Sequence, residues 1–395
     1  MKILRVISSM HPKGGGPCQG IRNSIPALKE IGVDNEVVCL DNPKSDYLGT
    51  DSFVIHAIGP AKGPWAYTAT LIPWLEEKAS NFDLIIVHGL WQFSSFAVYK
   101  AMKKLKTKAI PYFVMPHGML DPYFQKAPER RLKAFRNWMF WKVIESKVVN
   151  NANGVLFTCQ EELLLAREAF TPYRPKKELN VGYGIQEPPT FQSDMITAFK
   201  AVSKNLDKPY LLFLSRIHQK KGLDLLLNAY ADWVNTVKHD DEILDLVIAG
   251  PGMETAFGNT LKKIVEQSQV LKKHIHFTGM LTGDAKWGAF YGAEAFILPS
   301  HQENFGIAIV EALASSKPVL ISNKVNIWRE IEADNAGFIA EDTQNGALSL
   351  LNKWGALSDN EKKDMSSQAK ASYIKHYNIL SAAKRLAETL KNEIK

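Results

Sequence analysis

At 395 residues, with 46% apolar and 23% charged residues, the chain is too long for one ordinary core and has the composition of a soluble protein of two domains. No apolar run reaches the roughly 18–20 residues that span a bilayer, and the opening Met1–Ile7 stretch is too short for a signal peptide. The net charge of +7 suits anionic substrates or an anionic membrane surface but is too diffuse for nucleic acid, and three scattered cysteines (Cys18, Cys39, Cys159) fit a reducing cytoplasm rather than a disulfide framework or a zinc site.

Lys2 to Ser9 reads as a buried strand running into His11-Pro-Lys-Gly-Gly-Gly-Pro, with a helix through Ile21, Ile25, Leu28 and Ile31 behind it. A glycine loop between strand and helix has the form of a phosphate cradle. It is not a dinucleotide fingerprint, because Gln19 stands where glycine is required, and it is not a P-loop, because Gly20-Ile21-Arg22 replaces Gly-Lys-Ser/Thr. Strand-like runs recur at 36–40, 53–58, 84–88, 112–115 and 155–158 with helical patterns between them, which implies a parallel sheet covered on both faces and ligands at the carboxyl ends of its strands. Two histidines fall at such ends, His88 and His117. Pro116 and Gly118 expose His117, whereas packing explains His88 equally well. Asp121 is a candidate acceptor contact. From Gln125 to Asn150 the chain is basic and aromatic, with Arg130, Arg131, Lys133, Arg136 and Lys142 among Phe135, Trp138, Phe140 and Trp141. A long helix is expected after Pro128. Its N-terminal part suits acidic lipid or a lipid-linked acceptor. Residues 138–149 are apolar on most sides, so a packed helix is the preferred reading.

Val181-Gly-Tyr-Gly-Ile-Gln-Glu-Pro-Pro reads as the interdomain linker, and the following residues to about Lys208 are polar with poor periodicity. The alternation then resumes. Tyr210–Leu214 is a strand that ends at Arg216, and Lys221 opens the next helix; two cations converging there suit a diphosphate, whereas Lys220 reads as solvated. Leu246–Gly252 and Ile275–Leu281 are two more strand-to-glycine corners. Ala295–Leu298 leads into Pro-Ser-His-Gln-Glu-Asn-Phe-Gly-Ile-Ala-Ile-Val-Glu-Ala-Leu, residues 299–313. This is strand, polar loop, helix, with Asn304 as the N-cap candidate and Gly306 allowing close approach to the backbone. Free N–H groups at the helix start favour an anion, and carboxylates eight apart, Glu303 and Glu311, suit the hydroxyls of a sugar and a ribose.

The stretch 299–313 closely resembles the E-x7-E motif of retaining GT-B glycosyltransferases, in particular glycosyltransferase family four, with the Arg-x4-Lys-Gly at Arg216–Gly222 and the His-Gly at His117–Gly118 in the family's order. The resemblance implies two Rossmann-like α/β/α domains with parallel sheets facing each other across a cleft: 1–190 on the acceptor side, with a last helix at about 378–395 packing back onto it, and 191–377 binding the nucleotide sugar. It implies that Glu303 holds the donor sugar and Glu311 the ribose, and that Asn304, Phe305, Gly306 and Ile307 hold diphosphate and sugar. Arg216 and Lys221 hold the diphosphate, Gly15 and Gly16 approach the donor phosphates, Gly250 lies beneath the donor, and Gly279 and Met280 read the base. His117 reaches the donor sugar. Two departures stand out: Ser315-Ser316 where relatives carry a small residue and Gly, and Tyr183-Gly184 where they often carry Asn-Gly.

The implied reaction moves a sugar from a UDP- or GDP-sugar to a glycan or lipid-linked glycan with retention, in cell-surface polysaccharide synthesis, in the cytoplasm or at the inner face of the membrane. No Asp-x-Asp follows a buried strand, so neither metal nor cofactor is expected. A sugar-nucleotide epimerase or hydrolase of the same fold, a phosphorylase, and a non-catalytic nucleotide-sugar-binding module remain open; no motif supports the Schiff-base lysine that the best-known phosphorylases need.

Overall fold

Short, proline-free runs, most of them rich in Val, Ile, Leu and Phe, form the strands of two sheets. In the computed structural model, which describes residues 1–12, 15–127, 130–203 and 206–394, they are divided between two units, Met1–Gln186 with Asn378–Lys395, and Glu187–Tyr377.

The first unit holds β1 (Lys2–Val6), β2 (Asp34–Cys39), β3 (Ile55–Ala57), β4 (Leu84–His88), β5 (Tyr112–Met115), β6 (Gly154–Phe157) and β7 (Glu178–Asn180). They pair in the order β3-β2-β1-β4-β5-β6-β7, every pair parallel. A parallel sheet buries both faces, so successive residues serve different cores: Leu4, Val6, Ile85 and Val87 face one, Ile3, Leu84 and Ile86 the other. The helix Ile379–Glu393 closes the second core with Ala383, Leu386, Ala387 and Leu390, one helical stripe packed with Ile3, Leu28 and Phe113. Tyr183, the residue that departs from Asn-Gly, donates its hydroxyl to the Gly16 carbonyl at 3.1 Å, and a Cβ on Gly20 would lie 2.2 Å from that hydroxyl oxygen.

The second unit holds β8 (Tyr210–Leu214), β9 (Asp245–Ala249), β10 (Ile275–Gly279), β11 (Ala295–Leu298), β12 (Val319–Ser322) and β13 (Gly337–Ala340), in the order β10-β9-β8-β11-β12-β13, again all parallel. In both sheets the order reverses at one point, between β1 and β4 and between β8 and β11. Connections leave such a point in opposite directions, and a crevice opens at the carboxyl ends.

Three details differ from expectation. The polar stretch after the linker contains a helix, Ser193–Val202, which buries Met195 and Phe199; two well-spaced anchors suffice where the backbone packs closely, and a Cβ on Gly288 would sit 2.0 Å from the Met195 carbonyl oxygen. The helix Ile307–Ala314 is capped by Gly306 in the left-handed conformation (φ 75°), not by Asn304. Asn304 instead accepts from the Asn326 amide at 3.2 Å, a partner too distant in sequence to foresee.

The third concerns the basic-aromatic stretch. It is one continuous helical run, Arg131–Phe140, a π-helical turn at Trp141–Glu145, and Ser146–Asn151. The packed reading of residues 138–149 holds for Trp141, Val148 and Val149 but not for Val143, 57% exposed, or Trp138 and Met139, nearly half exposed; ahead of them Leu132 is 89% and Phe135 64% exposed. The buried residues are Ala134, Asn137, Trp141, Glu145, Ser146, Val148 and Val149, so three polar residues turn inward while apolar ones face out. Composition reports how apolar a helix is, not which face it buries. Pro128 and Glu129, where the helix was expected to start, lie outside the described residues.

Candidate active site

In the second unit the carboxyl ends of four adjacent strands carry most of the residues singled out above. Arg216 follows β8, Gly250 follows β9, Gly279 ends β10 and Met280 follows it, and Glu303 to Ile307 follow β11. The loops interlock by backbone contact. Ile217 N–H donates to the Pro251 carbonyl at 2.8 Å, Gly250 N–H to the Gly279 carbonyl at 2.7 Å, and His301 N–H to the Lys220 carbonyl at 2.9 Å. A side chain on Gly222 would meet the Pro299 carbonyl oxygen at 2.2 Å, so glycine lets the β8 and β11 loops touch at the reversal point.

Across that point buried Lys221 pairs with Glu303. Arg216 is exposed and has no ion pair among the described residues. Glu311 lies just over a turn into its helix and pairs with Lys286 at 2.6 Å. Burial pushes the Glu311 carboxyl up, and Lys286 offsets part of that. Sequence reasoning missed Lys286, whose ion pair joins two elements through a contact no local pattern encodes. Phe305 is buried edge-on against Tyr377, 5.8 Å between centroids, so it anchors the loop rather than reaching outward. Met280 is 70% exposed. Asp245, by contrast, opens β9 at the amino edge of the sheet, where it accepts from His274 and His276 at 2.8 Å each.

The first unit places Gly15 (φ 84°) as N-cap of the helix Gly16–Glu30, with no side-chain cap bond; Lys13 and Gly14 lie outside the described residues. At the end of β5, His117 (φ 52°) and Gly118 (φ 77°) both adopt left-handed backbone. Buried Glu162 holds this turn by accepting from Gly118 N–H at 2.5 Å, and it also accepts from Thr158 N–H at 2.8 Å. His117 Nε2 lies 2.9 Å from His88 Nδ1, and His88 Nε2 lies 3.3 Å from Arg5 Nη1. Burial foremost, then the Arg5 charge, lowers His117 to about 4 and His88 well below the usual histidine range. Asp121 is buried and accepts from Tyr123 N–H at 2.8 Å, so it shapes its own turn.

Beside this turn, at the β1/β4 reversal, lies a cavity of about 580 Å³ lined by Ser8, Ser9, Trp65, His88, Trp91, Met119, Arg136 and Phe140, among others. Trp91 sits at φ 70°, and its N–H donates to Glu145 at 2.8 Å. Glu145 is fully buried, also accepts from Ser95, and is pushed up by burial to about 7. The folded state therefore keeps this proton to about pH 7, while an unfolded glutamate releases it near 4.5. Stability is full below the lower value, falls through the interval and is flat above it, a loss of roughly 3 kcal/mol at about 1.36 kcal/mol per pH unit. Chemical denaturation of Glu145→Gln should show the variant gaining on wild type by that order between pH 4 and pH 8. A constant difference across pH would mean that Glu145 titrates alike in the folded and unfolded chains.

The description "Glycosyl transferase 4-like domain" matches residues 15–179, and "Glycosyl transferases group 1" matches residues 194–372. The chain belongs to the GT-B glycosyltransferases of the family-four type. The similarity extends to individual family members. The chain is 29% identical over 252 residues to an α-monoglucosyldiacylglycerol synthase of Streptococcus pneumoniae, covering 62% of this chain and 53% of that protein. It is 27% identical over 192 residues to a lipopolysaccharide 1,2-N-acetylglucosaminetransferase of Salmonella typhimurium, covering 47% and 49%. It thus spans about half the length of these relatives. Among solved structures it resembles the Anabaena HepE protein in complex with UDP and glucose (TM-score 0.72, 17% identity, 99% and 100% covered). It also resembles a Rickettsia africae glycosyltransferase (TM-score 0.73, 17% identity, 100% and 98% covered). Two parallel-sheet α/β units with these neighbours make the family's GT-B fold the fold of this chain.

Proposed function

We propose that the chain is a retaining, metal-independent hexosyltransferase that moves a sugar from a nucleoside-diphosphate sugar to a glycan or lipid-linked glycan. The observation that carries this is the gathering of Arg216, Lys221, Glu303 and Glu311 around the carboxyl ends of adjacent strands in one unit. Breaking the sugar–phosphate bond leaves charge on the diphosphate, and Arg216, Lys221 and the amides of Phe305 to Ile307 stabilise it as it grows. The leaving phosphate takes the acceptor's proton during same-face attack. Glu303 holds the sugar, Glu311 the ribose, Gly250 underlies the donor and Gly279 and Met280 read the base. His117 and Gly15-Gly16 in the other unit take the family's roles toward sugar and phosphates. The complex of the Anabaena protein with UDP and glucose favours a UDP-sugar. The Salmonella relative's name favours cell-surface polysaccharide synthesis, and three free buried cysteines fit the cytoplasm.

A thermal-shift panel of UDP, GDP, ADP and their sugars tests the donor. A ligand at 100 times its Kd stabilises by about 2.7 kcal/mol, so one family of nucleotides should stand out. Glu311→Gln should weaken that nucleotide by roughly 1–3 kcal/mol, because a charge-assisted hydrogen bond becomes a neutral one. No shift with any nucleotide would overturn the donor reading.

The acceptor side includes an acidic bilayer. No described helix is long and apolar enough to cross a membrane. The exposed side chains of residues 131–150 are nonetheless all apolar or basic: Leu132, Phe135, Trp138, Met139 and Val143 with Arg131, Lys133, Arg136, Lys142 and Lys147. Such a face inserts apolar groups while each cation near an anionic surface adds about 1 kcal/mol. The chain should co-sediment with phosphatidylglycerol vesicles and much less with phosphatidylcholine. Phe135→Ser with Trp138→Ser should reduce partitioning at least about tenfold. Equal partitioning of wild type and variant would place the contact elsewhere.

A further inference from the structure

We propose that Arg5 and His88 are positioning residues that fix His117 as the neutral Nδ1–H tautomer, so that His117 acts as a hydrogen-bond donor and not as a base. The argument follows proton ownership along three side chains. Arg5 sits in β1, an interior strand between β2 and β4, 2% exposed, with Nε donating to Asn35 Oδ1 at 3.0 Å and Nη1 facing His88 Nε2 at 3.3 Å. A guanidinium has donors only, so His88 Nε2 must accept. A neutral His88 then carries its proton on Nδ1, and at 2.9 Å that proton goes to His117 Nε2. His117 Nε2 is the acceptor in turn, and the His117 proton lies on Nδ1, which has no partner among the described residues.

A buried guanidinium without a carboxylate is costly, and among the described residues no acid bonds or pairs with Arg5. In this position it has a use. Protonating either histidine would set two cations side by side in a buried site, so Arg5 keeps both rings neutral and sets the direction of the chain. The left-handed backbone at His117 and the Glu162 clamp on Gly118 hold the ring in place to receive the bond.

For the transfer, which rests on the donor-sugar role proposed for His117, this fixes a sign. The basic nitrogen is occupied, so His117 cannot take the acceptor's proton, and it can only donate from Nδ1 to an oxygen of the sugar. The acceptor's proton is left to the leaving phosphate.

Histidine-selective 15N labelling with two-bond 1H–15N correlation reads the tautomer in the unliganded protein. Near neutral pH, His88 and His117 should both show a protonated Nδ1 and an unprotonated Nε2. Arg5→Met removes the fixed donor and should mix the tautomers of both rings. Arg5→Lys, which still donates, should restore them. In turnover, Arg5→Met and His88→Phe should lose roughly 10- to 100-fold in kcat, the scale of one misdirected hydrogen bond, with little change in the donor's KM and with rescue by Arg5→Lys. An Nε2–H or imidazolium His117 in the wild type would overturn the proposal. So would an Arg5→Met protein with an unchanged His117 tautomer. The spectra decide this whether or not the chain transfers sugar, so a failure of the transfer reading would be seen separately.

Discussion

Lys221→Ala is expected to lower kcat roughly 10²- to 10³-fold while an exposed control such as Lys262→Ala stays near wild type. The reason is timing. Charge on the leaving diphosphate is greatest in the transition state, so a cation placed there lowers the barrier more than it tightens ground-state binding. The structure adds a second consequence. Lys221 is buried and paired with Glu303, so removing it leaves a half-buried carboxylate facing the place where phosphate charge develops. Lys221→Ala with Glu303→Gln should therefore recover part of the loss caused by Lys221→Ala, a positive coupling that separate roles would not give. Arg216→Lys should also be impaired, because an exposed guanidinium offers a fork that an ammonium cannot reproduce. Turnover should survive EDTA. Wild-type kcat in Lys221→Ala would sink this account, as would loss of activity in EDTA with rescue by magnesium or manganese.

The difference between what the sequence disclosed and what it withheld follows from the range of the interactions. Strands such as Leu84–His88, Tyr112–Met115 and Tyr210–Leu214 match their apolar runs because both faces are buried and no register needs resolving. Arg216, Lys221, Glu303 and Glu311 were legible because each sits at a fixed offset from such a run. Arg5, Glu145, Glu162 and Lys286 were not. Each acts through a tertiary partner: His88 for Arg5, Trp91 for Glu145, Gly118 for Glu162 and Glu311 for Lys286. An arginine in the middle of a strand or a glutamate in a helix looks like surface until the partner is placed beside it. The helix at 131–151 shows the same limit on the scale of an element: its periodicity was visible, but its inward face carries Asn137 and Glu145. The π-helical turn that helps aim that face has no sequence signature here.

Gly250→Ala is expected to cost the second unit about 3–5 kcal/mol, and Gly279→Ala, at the end of the neighbouring strand in the same candidate site, only about 1–2. Both glycines were assigned to nucleotide binding, and both have positive φ, 139° and 71°. Their surroundings differ. A Cβ at Gly250 would lie 1.8 Å from the Ser215 carbonyl oxygen, whereas one at Gly279 would meet nothing within 4 Å. At Gly250 the obstacle is backbone, fixed by Ser215 N–H donating to the Ala249 carbonyl at 3.0 Å, so no rotamer can relieve it. The added methyl must push the β8 loop off the β9 loop, and the β8 loop carries Arg216. Overpacking of about 1–3 kcal/mol then adds to backbone strain of similar size, whereas Gly279→Ala incurs the strain alone. Denaturant titration, followed by fluorescence of the tryptophans of the second unit, measures the two costs, and nucleotide affinity measured below the transition separates folding from binding. A Gly250→Ala protein as stable as Gly279→Ala would show that the β8–β9 contact is not held by backbone. If Gly250→Ala instead loses stability and affinity together while Gly279→Ala loses affinity alone, Gly250 acts on the donor through the position of Ser215 and Arg216, and Gly279 acts through its own backbone.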